Sequence, residues 1–384
     1  MKRVLDVTAV VGVIGLCLCG NLCAENGVTP GEILLGQSCA LSGPAADLGT
    51  KMRTGLDACF SQVNEAGGIK GRKIRLVSKD DGYEPEKAIE NTRALIEQEN
   101  VFLLIGQVGS ATSQSVVPII EEAKVPFLGP LTGAEFLRQP FRKYVIHMRG
   151  SHHQEMERLA QYLVENRGLK RIACFYQNDS FGQEGLRGIE TALEKRGLEL
   201  VATGTYRRNT VAVKSAVLKI RKEDPDAVVM AGTYKPCAEF IKVAKKIGMK
   251  DTLYCNMSYV GACSLCEELG DDGEGCIISQ VVNFPFDESC LLVSKYIDAL
   301  KKYYPRATPS FVSLEGYMVA KLFCLAAEAV EDDLTRESFV RAIENPGLFD
   351  LGGILLEFSP NDHQGLDRVF LTIIRNGEVG PLGW

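Results

Sequence analysis

The chain has 384 residues, enough for two lobes of ordinary domain size, each with its own core. Charged residues make up 24% and the formal net charge is -6, with no basic stripe, which argues against nucleic acid as a partner. Beyond the first residues nothing is long and uncharged enough to span a membrane, which takes about 20 apolar residues.

Met1-Lys2-Arg3, an apolar run from Val7 to Leu18 and a small-residue exit at Gly20, Asn21 and Ala24 read as a secretory signal peptide over 1–24. Cys17, Cys19 and Cys23 open a lipoprotein reading, but Leu16, Leu18 and Leu22 precede them where lipid processing wants a small residue. A soluble, exported, periplasmic protein is therefore expected. Ten cysteines follow Ala24, in a compartment that permits disulfides. Cys39, Cys59, Cys174 and Cys324 lie in apolar segments and read as small hydrophobes. Cys263-x-x-Cys266 lacks the second pair that a zinc site needs, and reads as a plain helix or a local disulfide.

Strand and helix signals then alternate. Glu32–Ser38 reads as a strand, and Leu48, Met52, Leu56, Cys59, Phe60 and Val63 repeat with a helical period that Ala66-Gly67-Gly68 stops. Strand Lys73–Val77, helix Glu86–Gln98, strand Val101–Ile105, helix Ser110–Ala123 and strand Val125–Leu128 follow. The rhythm restarts after Arg149, with strands Arg171–Tyr176, Leu198–Gly204 and Ala227–Met230 set between helices. Long helices over Leu291–Tyr303 and Phe311–Val330 precede strands Ile354–Phe358 and Phe370–Arg375. Two runs of βα units predict two α/β lobes, each a parallel sheet covered on both faces.

Enzyme signatures are missing. There is no dinucleotide fingerprint, phosphate loop, Gly-x-Ser-x-Gly elbow or His-Glu-x-x-His, so no catalytic residue, metal or cofactor is expected. The adjacent His152 and His153 read as a solvated helix start. Ligands of open parallel sheets sit beyond the strands' carboxyl ends, where helices begin. Strand Val101–Ile105 ends at Gly106-Gln107-Val108-Gly109 just before Ser110. Free N–H groups at that helix start suit a carboxylate, and the Ser110 hydroxyl either joins them or caps its own helix.

Leu41-Ser42-Gly43-Pro44, the run from Val63 to Ile74, the run from Asp80 to Ala88, and Ile105-Gly106 followed by Ser110-Ala111-Thr112-Ser113 share an order and spacing. With Arg171-Ile172-Ala173, Phe181-Gly182, Tyr234 and Glu274-Gly275 they resemble the type I periplasmic binding proteins of the leucine/isoleucine/valine-binding family. The resemblance implies two doubly wound parallel-sheet lobes joined by a three-stranded hinge. The lobes would comprise 25–148 with 281–350, and 149–280 with 351–384. It implies a ligand site at Ser110 for a carboxylate, Leu131 and Thr132 after the next strand, Leu48 as an apolar first-lobe wall, and Phe181, Tyr234 and Ser258 from the second lobe. Ser258 stands where amino-acid binders of that family carry an acid, and it supplies no counter-charge for an ammonium. The partners implied are the permease and ATPase subunits of an ABC importer, with a sensing subunit as the alternative use of the same fold.

Overall fold

In the computed structural model, which describes residues 25–345 and 347–383, the first part of the chain lays down a parallel sheet one βα unit at a time. Strand β1 (Glu32–Cys39) leads into α1 (Ala46–Glu65), β2 (Lys73–Asp80) into α2 (Pro85–Arg93), and β3 (Leu103–Ile105) into α3 (Ser110–Ala123). The two-residue strands β4 (Phe127–Leu128) and β5 (Val145–Ile146) complete the order β2-β1-β3-β4-β5. Strand β3 is shorter than expected because the Arg336 guanidinium takes the carbonyls of Val101 and Phe102, each at 2.8 Å.

The chain then passes to a second sheet. Its elements are α4 (His152–Ala160), β6 (Ile172–Gln177), α5 (Ser180–Glu194), β7 (Ala202–Tyr206), α6 (Lys214–Arg221), β8 (Ala227–Ala231), α7 (Tyr234–Lys246), β9 (Leu253–Asn256), α8 (Ala262–Leu269) and β10 (Ile277–Gln280). Of the expected strand Leu198–Gly204, only the residues from Ala202 onward pair in register with β6. Just before them, Val201 donates its N–H to the Ile172 carbonyl at 2.9 Å.

After β10 the chain returns to the first lobe. Helices α9 (Leu291–Tyr303), α10 (Phe311–Ala329) and α11 (Arg336–Glu344) cover the first sheet, with Phe323 edge-on to Phe60 at 6.0 Å. The approach of α10 to α1 is so close that a Cβ on Gly55 would stand 1.9 Å from the Ser313 carbonyl oxygen, so only glycine fits there. A hairpin of β11 (Leu348–Asp350) and β12 (Leu355–Glu357) is tied to α9 by the Leu292 N–H on the Gly352 carbonyl at 3.1 Å.

The last passage carries the chain to β13 (Phe370–Arg375), which joins the second sheet antiparallel to β10, and to β14 (Glu378–Pro381), which pairs antiparallel with β13. That sheet has the order β14-β13-β10-β9-β8-β6-β7, parallel from β10 to β7. Two of the three passages run side by side: His147 donates its N–H to the His363 carbonyl and accepts one from Gly365, at 2.8 and 2.9 Å. The architecture is two doubly wound α/β lobes, with both sheets pointing their carboxyl ends at the gap between them. No helix among the described residues is long and apolar enough to cross a membrane. The expected signal peptide lies outside the described residues.

Candidate functional site

The site begins where β3 and β4 end. Gly109, with φ at +109°, is the residue that precedes α3, and a Cβ there would meet the Tyr83 ring at 2.4 Å. Ser110 is thus the first residue of the helix, and its hydroxyl makes no capping bond. Instead Ser110 Oγ lies 2.6 Å from Thr132 Oγ1, and both side chains are fully buried. Leu131 locks the two strand ends together: its N–H donates to the Gln107 carbonyl at 2.7 Å, and its carbonyl accepts from Gly109 at 3.3 Å. The unpaired first-turn N–H groups of α3 therefore sit beside two hydroxyls.

The second lobe faces this pair with His152 and Phe181. His152 opens α4 behind a reciprocal cap of Ser151 and Gln154. Contrary to the solvated helix start expected from sequence, His152 is fully buried, and only His153 is partly exposed. The reason is local. The His152 N–H donates to the Gly133 carbonyl at 2.7 Å, and the Gly133 N–H donates back to Nε2 at 3.2 Å. That second bond places the ring proton on Nδ1. Nε2 also stands 3.4 Å from both the Ser110 and the Thr132 hydroxyl. Phe181 lies in the first turn of α5, capped by Asp179, and is fully buried. Its ring packs 5.4 Å from His152 and 4.6 Å from Tyr259.

A buried charge cluster, absent from the sequence reading, continues from there. Glu155 lies three residues after His152 on α4, with Oε1 facing Nδ1 at 3.5 Å. Its Oε2 accepts from the Ser258 N–H at 2.7 Å and the Ser279 hydroxyl at 2.6 Å. Burial would raise the Glu155 carboxyl, but His152, Arg149 and Ser279 outweigh it and hold the group at about 2. Arg149, on the first passage between lobes, is 1% exposed. It donates to the Ser258 hydroxyl and lies 3.9 Å from Glu155 and 3.6 Å from Glu315 of α10. Burial pushes Glu315 up to about 6, against the pull of the Arg149 charge. One guanidinium thus touches a carboxylate from each lobe.

Leu48 and Tyr234 stand farther out. Leu48 is fully buried, and its Cδ2 would lie 2.8 Å from a Cβ on Gly261 of the second lobe. Tyr234 is the first residue of α7 and lines a rim cavity of about 460 Å³ with Asp47 and Ser264. No hydrogen bond or ring contact among the described residues joins it to Ser110, Thr132 or Phe181. Polar contacts clamp the lobes together around the site. Arg208 meets Glu84 at 3.0 Å, Gln177 meets the Tyr83 hydroxyl at 3.3 Å, and Lys51 meets Ser264 at 2.9 Å. The ten cysteines from Cys39 to Cys324 are free thiols, and Cys263 and Cys266 lie on α8. Among the described residues no cluster of three or more His, Cys, Asp or Glu could hold a metal ion.

Two parallel-sheet lobes closed over a buried polar site at their strand ends define a two-lobed solute-binding protein. The chain belongs to the periplasmic binding protein family, whose model matches residues 32–378. Members of this family bind solutes and are not enzymes. The crystal structure of a possible leucine/isoleucine/valine-binding protein from Rhodopirellula baltica SH 1 is 35% identical and superposes with a TM-score of 0.88. That match covers 93% of this chain and 98% of the other. The Leu/Ile/Val-binding protein homolog 7 of Brucella abortus is 27% identical over 323 residues, 78% of each chain. The Leu/Ile/Val/Thr-binding protein of Salmonella typhimurium is 24% identical over 245 residues, 64% of this chain and 67% of that protein.

Proposed function

We propose that this chain is a periplasmic receptor that captures a small carboxylated ligand, an amino acid or related organic acid, between its lobes and delivers it to the permease and ATPase of an ABC importer. The observation that carries this reading is the buried Ser110–Thr132 hydroxyl pair at the start of α3. Helix N-termini favour anions through their free N–H groups and dipole. Closure is driven by contacts that exist only when both lobes reach the ligand, here Ser110, Leu131, Thr132 and Leu48 from one side and Phe181, Ser258 and Tyr234 from the other. The names of the relatives add branched aliphatic amino acids to the ligands worth trying.

The test is a thermal-shift screen of carboxylates and amino acids on refolded, ligand-stripped protein. A true ligand at 100 times its Kd should add about 2.7 kcal/mol of stability. Indifference to every carboxylate in such a screen counts against the reading. Stimulation of a co-reconstituted permease–ATPase complex separates delivery from the alternative, a sensing subunit read by a membrane receptor.

A further inference from the structure

The charge cluster leaves both Arg149 Nη1 and the Oε1 atoms of Glu155 and Glu315 without a hydrogen bond among the described residues. Arg149 carries five N–H bonds, of which one reaches the Ser258 hydroxyl. A small shift would give one more to Glu315, 3.6 Å from Nε, and one to Glu155, 3.9 Å from Nη2. Nη1, with two N–H bonds, is buried without a hydrogen-bond partner among the described residues. Leaving charged donors buried and unmet is expensive, so they mark a place for an acceptor from outside the chain. The same guanidinium is linked to the hydroxyl pair by an unbroken line of polar groups. His152 lies 3.4 Å from both hydroxyls and 3.5 Å from Glu155, which faces Arg149.

We propose that Arg149 is the second polar contact of the ligand, receiving an oxygen acceptor, so that the preferred ligand is an oxo acid or dicarboxylate and not an α-amino acid. This rests on the cleft reading above. An ammonium placed there would meet a guanidinium, and Ser258 offers it only a hydroxyl already taken by Arg149. Glu155 Oε2 is taken by Ser258 and Ser279, and its Oε1 faces His152 Nδ1 at 3.5 Å and Arg149 at 3.9 Å. Glu315, faced by Arg149, Glu155 and Arg138, can take up a proton when an anion arrives, since burial already favours its neutral form.

The experiment is calorimetry on the mature chain with four compounds of one skeleton: 4-methylpentanoate, L-leucine, 4-methyl-2-oxopentanoate and isobutylmalonate. The better of the last two should bind at least tenfold more tightly than L-leucine, and which one wins tells carbonyl from carboxylate. Arg149→Lys keeps a charge but not the fork, and should shrink that preference to within about threefold. A purely structural role for Arg149 would lower all four affinities together and leave the preference intact. If Arg149→Lys does not fold, Glu315→Gln decides. It should keep or strengthen oxo-acid binding, whereas a tenfold loss of leucine binding would make Glu315 the ligand's contact and overturn the proposal. So would a wild type that binds L-leucine best, or that binds none of the other three better than 4-methylpentanoate. Ser110→Ala separates the two failures: if it weakens all four while Arg149→Lys leaves the preference unmoved, the cleft reading stands and the Arg149 proposal falls.

Discussion

Arg149→Met should destabilise the protein by about 3–5 kcal/mol in urea unfolding, the cost of stranding a buried charge by removing its partner. Methionine roughly fills the space of the stem, so the loss is electrostatic and not a cavity effect. Glu155 accounts for most of it. Its carboxylate is fully buried, and three groups hold it ionised, of which the variant removes one. Glu315 contributes less, because at about 6 it accepts a proton near neutrality. Neutralising the whole cluster with Arg149→Met, Glu155→Gln and Glu315→Gln together should recover most of the loss, since a complete neutral replacement strands no charge. A single variant within 1 kcal/mol of wild type would show that water reaches the cluster.

Ser110→Ala should weaken carboxylate binding ten- to a hundredfold in calorimetry, with little change in the urea midpoint. A hydrogen bond to a charged group contributes roughly 1.5–3 kcal/mol, and ten- to a hundredfold is the corresponding range in Kd. Stability is spared because the Ser110 hydroxyl caps no helix. Thr132→Val should behave similarly. The double variant should cost less than the sum, because hydroxyls 2.6 Å apart act on one ligand oxygen set and on each other. A Kd within threefold of wild type would mean that the pair serves only to fix the strand ends.

The βα rhythm was legible because buried parallel strands and amphipathic helices write long, regular apolar patterns. Helix Leu291–Tyr303 and strand Phe370–Arg375 fall where those patterns place them. Strand β4 falls inside the expected Val125–Leu128, whereas the two-residue β5 writes almost no pattern, and its pairing with β4 is decided by neighbours distant in sequence. Ser110 was visible as a hydroxyl at a strand end, and Thr132 only through the resemblance to the family. The charge cluster was not. Arg149, Glu155 and Glu315 are scattered along the chain, and charged side chains are expected on the surface unless a partner is known. One local signal did exist: Ser151-x-x-Gln154 is a capping box, which starts a helix at His152 and sets His152 and Glu155 three apart on one face. Which of two adjacent histidines turns inward depends on Gly133, a contact no spacing encodes.

Closure of the lobes on a carboxylate should be visible in small-angle X-ray scattering of ligand-stripped protein. The protein should be titrated with the compound that stabilises it most in the thermal screen. The radius of gyration should fall, saturate at one equivalent and end at the value of the closed arrangement described above, with the transition shifted to higher ligand concentration in Ser110→Ala. A radius that stays constant through saturation, with binding confirmed by calorimetry in the same samples, would contradict it.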